Sequence, residues 1–133
     1  MAKQLNITFY QNVARLFYAI AFVDKTVKEE EVEALKKIVR EEWLDLDETE
    51  DEYKTDAAYQ IETVFDWLVE QEFHANQCFD EFIEYKNEHD YFFTSDINAL
   101  LLKTAGVIAS AFAGKNKSEL IMLAKLNREL QKV

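Results

Sequence analysis

At 133 residues, 49% of them hydrophobic and ten of them phenylalanine, the chain is one domain long and has ample material for a core, so disorder of the whole chain is excluded. It has no proline and only two glycines, Gly106 and Gly114, which argues against a sheet fold with its many tight turns and for helices joined by short polar connections. A formal net charge of −11 disfavours nucleic acid and anionic membrane surfaces, both polyanions, and suits a partner with a basic surface.

The charge is unevenly spread. Residues 28–100 are strongly acidic, whereas residues 101–133 are net basic. A basic C-terminal helix could therefore lie against an acidic face of its own chain or of a neighbour. The single cysteine, Cys78, excludes an intrachain disulfide framework. Met1-Ala2-Lys3-Gln4 leads into Asn6 with no apolar segment of signal type, so a cytoplasmic location is expected. The apolar run Ala105–Ala113 is too short to span a bilayer.

Taken in chain order, the apolar spacing predicts six helices in one all-α bundle covering residues 1–133. Helix one is expected over 6–23, with Phe9, Val13, Leu16, Phe17 and Ile20 on one face at three- and four-residue spacing. Asp24-Lys25 breaks the pattern. Thr26 then stands three residues before Glu29, the spacing of a capping box, and Glu29–Glu31 form an acidic first turn that complements the helix dipole. Val32, Leu35, Ile38, Val39 and Trp43 make the buried stripe of helix two, with Lys36, Lys37 and Arg40 toward its C-terminal end.

Residues 44–50 are acidic, and Thr49 with Glu52 repeats the capping-box spacing. Helix three is predicted over 50–74 on Tyr53, Ala57, Ile61, Val64, Phe65 and Leu68. A shorter helix four is predicted over 76–88 on Phe79, Phe82, Ile83 and Tyr85. The aromatic cluster Tyr91-Phe92-Phe93 follows, read either as a plug in the core or as part of a partner patch. Helix five is expected over 95–113; its second half is small and apolar nearly all round, which predicts the central, most buried helix. Gly114 is placed to end it. Asn116 and Glu119 again have capping-box spacing, and Leu120, Leu123, Leu126 and Leu130 build helix six.

The stretch Phe17-Tyr18-Ala19-Ile20-Ala21-Phe22-Val23-Asp24-Lys25-Thr26-Val27-Lys28-Glu29-Glu30-Glu31 resembles the characteristic segment of the TerB-like domain, a family named for bacterial tellurite-resistance proteins. That segment is an apolar helix, then Ala-x-x-Asp-Gly, a spacer, Val, and paired Glu opening the next helix. Ala109–Gly114 resembles the family's second such unit. The chain departs from the pattern at Lys25, where the family has Gly, and in the second unit, which has Gly114 and no Asp, with Asn116 and Glu119 the nearest polar groups. The resemblance implies a non-catalytic, all-helical cytoplasmic domain of stress or resistance physiology, with a divalent cation held by Asp24, Glu30 and Glu31.

The residues alone leave that chemistry open. A hard divalent cation wants six or more oxygens, of which Asp24 and Glu29–Glu31 could supply two or three. Alternatively, Asp24 merely ends helix one and the glutamates merely favour the helix dipole. The window Asp45–Asp56 fails as an EF-hand loop, since its sixth position, Glu50, must be glycine for the turn. Glu62, Asp66, Glu70, His74 and Cys78 recur every four residues, as a ligand ladder or as a polar face. His89 beside Asp90 reads as surface decoration. No P-loop, Rossmann glycine run, serine elbow or zincin motif occurs. Three functions compete: a TerB-like, cation-binding domain; a metal-free scaffold binding a basic partner through its acidic face; and a metal-dependent hydrolase using Asp24 with Glu30 or Glu31.

Overall fold

A computed structural model of the chain describes residues 7–23, 29–43, 51–71, 74–112 and 117–131, with the side chains of residues 7, 43, 51–60, 112 and 117–119 left out. The described residues form six α-helices, α1 (Ile7–Phe22), α2 (Glu29–Trp43), α3 (Asp51–Glu70), α4 (Ala75–Glu88), α5 (Ser95–Phe112) and α6 (Lys117–Gln131), with one 3-10 turn at Asp90–Phe92. They contain no strand. The six helices pack as a bundle, as the spacing of apolar residues predicts. No helix among the described residues is long and apolar enough to cross a membrane.

The bundle is organised around α1, which packs against α3, α4, α5 and α6, while α2 packs against α3 and α5. Phe9, Val13, Leu16, Phe17 and Ile20 are all fully buried, as their spacing requires. So are Ala14, Ala19 and Ala21, and Tyr18, Phe22 and Val23 are nearly so. From Leu16 onward α1 is thus apolar and buried all round, which is the pattern of a central helix.

The central helix is therefore α1 and not α5, as the small apolar run had predicted. In α5 only one side is buried, through Ile97, Leu101, Thr104, Ala105, Ile108 and Ala109. Gly106, Val107, Ser110 and Ala111 are exposed. The physical reason is side-chain size: burial stabilises roughly in proportion to apolar area, so the large residues of α1 gain far more from the centre than the Gly, Ala and Ser of α5. In α6 the buried stripe is Met122, Leu126 and Leu130, and Leu120 is 61% exposed.

The three capping boxes expected at Thr26, Thr49 and Asn116 lie outside the described residues. A cap not anticipated is Thr94, whose Oγ1 accepts from the Ile97 N–H at 3.3 Å at the start of α5. The buried side chains of Asn12, Thr104 and Lys86 each have a hydrogen-bond partner, whereas the buried Tyr85 hydroxyl has none among the described residues. Asn12 Nδ2 donates to Thr8 O, and Thr104 Oγ1 donates to Leu100 O, both one turn back.

Lys86, only 4% exposed, donates from Nζ to Glu129 O at 2.8 Å. Asn98 Nδ2 donates to Leu130 O at 3.3 Å. These carbonyls belong to the last turn of α6, where the helix leaves its acceptors unpaired and its dipole is negative. A cation from α4 and an amide from α5 thus fasten the end of α6 to the bundle.

Gly106 lies in the interior of α5, and a Cβ built on it meets nothing within 4 Å. Gly106→Ala should accordingly raise the free energy of unfolding by about 0.5–1 kcal/mol, measured by urea denaturation. A loss of stability would show that this face of α5 is packed rather than open.

Candidate functional site

The segment resembling the TerB-like pattern opens on a buried helix end, Ala21, Phe22 and Val23. It resumes at the acidic first turn of α2, Glu29–Glu31. Glu29 and Glu30 are exposed and Glu31 is half-buried. Asp24, the third expected cation ligand, lies outside the described residues. Among the described residues, no group of three or more His, Cys, Asp or Glu side chains is placed to hold a metal ion. The EF-hand-like window runs into α3 at Asp51, so its second half has helical backbone.

The carboxylates that do converge are others. An open groove of about 340 Å³ between α2 and α3 is lined by Glu29, Val32, Glu33, Asp66, Val69 and Glu70. It arises from antiparallel pairing of the two helices. Lys36 Nζ lies 2.8 Å from Asp66 Oδ1 and 3.4 Å from Glu33 Oε2. One turn further along α2, and one turn back along α3, Arg40 donates from Nη2 and Nε to the two carboxylate oxygens of Glu62, at 2.7 and 3.2 Å. That fork-to-fork geometry is the strong form of the ion pair. Continuing the register the other way brings Val32 and Glu33 opposite Val69 and Glu70.

The electrostatics differ along this seam. Partial burial pulls the Lys36 ammonium down, but Asp66 and Glu33 outweigh it and raise its pKa above the ordinary lysine value. The hydrogen bond and charge of Glu62 raise Arg40 likewise. Asp66 and Glu33 are therefore partly neutralised within the chain. Glu29 and Glu70 have no ion pair among the described residues and leave the open end of the groove anionic.

The ladder Glu62, Asp66, Glu70, His74, Cys78 thus divides. Its first three members stand on α3 facing α2. His74 is exposed at the N-cap of α4, with no side-chain capping bond. Cys78 is fully buried, and the two make no nucleophile–base pair. The four-residue spacing of Glu62, Asp66 and Glu70 was the signal that could have found the groove, and Glu29 and Glu33 repeat it on α2.

Near Cys78, Arg15 Nε and Glu81 Oε1 approach to 3.1 Å. Both atoms are shut from solvent without hydrogen-bond geometry, so the contact is one of charge. The Arg15 guanidinium also lies 6.0 Å from the centre of the Trp67 ring, within cation–π range.

His89 is not surface decoration. Its ring stacks on Tyr85 at 4.3 Å and lies near-parallel to Phe92 at 6.4 Å, half-buried at the end of α4. The aromatic run that follows is buried in two of its three members. Phe92 and Phe93 are buried against Phe9, at 5.9 and 5.6 Å, whereas Tyr91 is 49% exposed.

Burial, with the Glu81 charge adding to it and Arg15 opposing, pushes the Cys78 thiol up from 9.0 to about 12. The fold thus favours the neutral thiol. Below pH 9 both folded and unfolded chains hold the proton and Cys78 adds no pH dependence. Between pH 9 and about 12 only the unfolded chain ionises, so stability falls as pH rises. Native protein should therefore react with an aromatic disulfide reagent only as fast as it unfolds. Immediate reaction of the folded protein would contradict this placement of Cys78.

No protein-family model, curated protein or solved structure matches the chain.

Proposed function

We propose that the chain is a non-catalytic, cytoplasmic TerB-like domain that works as an anionic docking module. In this reading the α2–α3 groove receives a protein partner with a basic surface. The observation that carries it is the groove itself. Val32 and Val69 give it an apolar floor, Glu29, Glu33, Asp66 and Glu70 surround that floor, and two of the four carboxylates have no ion pair among the described residues. A cationic side chain docked there gains charge pairing without displacing Lys36, and apolar atoms carried with it cover the valines. The resemblance of Phe17–Glu31 supports the TerB-like assignment and a role in stress or resistance physiology. The net charge of −11 argues against nucleic acid as the ligand.

A second reading, a divalent cation held by Asp24, Glu30 and Glu31, is favoured by one observation. α1 ends at Phe22 and α2 opens on its glutamates, so in sequence Asp24 falls within the few residues that separate the two helices. Hydrolysis at such an ion would further need a pocket enclosing it. Neither Glu30 nor Glu31 lines the α2–α3 groove.

Thermal unfolding in the presence of ligands separates these readings, because a ligand that binds only the folded chain raises its midpoint. Oligolysine should raise it at low salt, the gain should vanish near ~1 M salt, and Glu29→Gln with Glu70→Gln should remove most of it. Retention of the full shift in that double variant would refute groove docking. For the cation reading, a rise with Ca²⁺, Mg²⁺, Mn²⁺ or Zn²⁺ must disappear in Asp24→Ala. If no cation moves the wild type, or Asp24→Ala keeps the shift, that site is wrong.

A further inference from the structure

The basic C-terminal helix leaves one side without a partner among the described residues. α6 packs chiefly against α5 and α1, with Met122, Leu126 and Leu130 inward. At about 100° per residue, Leu120, Ile121 and Arg128 fall on the opposite side and Lys125 on its flank. Leu120 is 61% and Ile121 56% exposed, and Lys125 and Arg128 are exposed as well. Neither cation has an ion pair among the described residues. The hydrogen bonds from Lys86 and Asn98 to the end of α6 fix which side faces out.

We propose that this side of α6 docks into the α2–α3 groove of a second copy of the chain. Leu120 and Ile121 cover Val32 and Val69, and Lys125 and Arg128 meet Glu29 and Glu70. The inference rests on the groove-docking reading above and names its partner. Charge selects the pairing: α6 against α6 sets cations against cations, groove against groove sets carboxylates against carboxylates, and only α6 against groove joins opposite signs. Size agrees, since the groove leaves about 340 Å³ of open space between α2 and α3. The contact is heterologous, so copies join head to tail, into a ring or an open chain.

Sedimentation velocity on the full chain tests the proposal. At ~0.01 M salt the average mass should climb above the monomer's 15.6 kDa with concentration, to at least about double, and return to it at ~1 M salt. Glu29→Lys with Glu70→Lys, and separately Lys125→Glu with Arg128→Glu, should each hold the protein at monomer mass. Mixing the two variants should restore association, because each then offers a surface of opposite sign to the other. Leu120→Asp, at an exposed position, should break association with the thermal midpoint unchanged.

A wild type that stays monomeric at low salt overturns the pairing. So does a folded charge-reversed variant that associates like the wild type, or a mixture of folded variants that stays monomeric. If the wild type is monomeric yet still gains stability from oligolysine through Glu29 and Glu70, the copy pairing falls and groove docking stands. If both fail, both fall.

Discussion

Everything in this bundle depends on burying α1 on all its sides from Leu16 onward. Phe9, Leu16, Phe17 and Ile20 are large, apolar and fully enclosed, and enclosing them takes several neighbours at once. α3, α4, α5 and α6 each lend one apolar side to that task. Having met it, each is free to be polar on the side facing water. The exposed carboxylates of α3 and α4 thus sit on an outer layer, on helices whose inner sides are committed to α1.

That division sets up the chemistry of the surface. α2 does not pack chiefly on α1; it lies against α3 and α5, so the α2–α3 seam runs at the periphery, where ion pairs are solvated. Pairs of this exposed kind are worth about 0–1 kcal/mol each. Lys36–Asp66 and Arg40–Glu62 therefore fix the register of two helices more than they hold the fold together. Beyond the last paired residue the carboxylates Glu29 and Glu70 continue without a cation beside them among the described residues, and Val32 and Val69 line the groove with them. The same asymmetry appears with the opposite sign on α6, whose outer side carries cations and exposed aliphatics. A surface divided in this way favours recognition by charge and shape over chemistry at a single centre.

Helix number was legible in the sequence because large apolar residues at helical spacing and the lack of proline leave few alternatives, but helix three, expected to run to 74, ends at Glu70, and His74 already stands at the N-cap of α4. The stripes of α1 and α4, and the described parts of those on α2 and α3, were read from spacing alone. What spacing could not rank was which helix lies deepest. The run Ala105–Ala111 looks buried by hydropathy, yet its side chains are so small that exposing one side of it costs little. In α6, one residue of phase decides which of a run of apolar residues face inward, and Met122 rather than Leu120 turns to the core. Lys86 could not be read as a helix cap, since its acceptor lies 43 residues away. The groove was half legible: the four-residue carboxylate spacing was plain, but its facing partner on α2 depends on tertiary register.

Native-state hydrogen exchange tests the central place of α1 most directly. The amides of Val13–Ala21 should be the slowest in the protein, exchanging only through global unfolding, while those around Gly106–Ala111 exchange faster through local opening. If α5 outlasts α1, and α1 exchanges by local opening, the bundle is not built around α1.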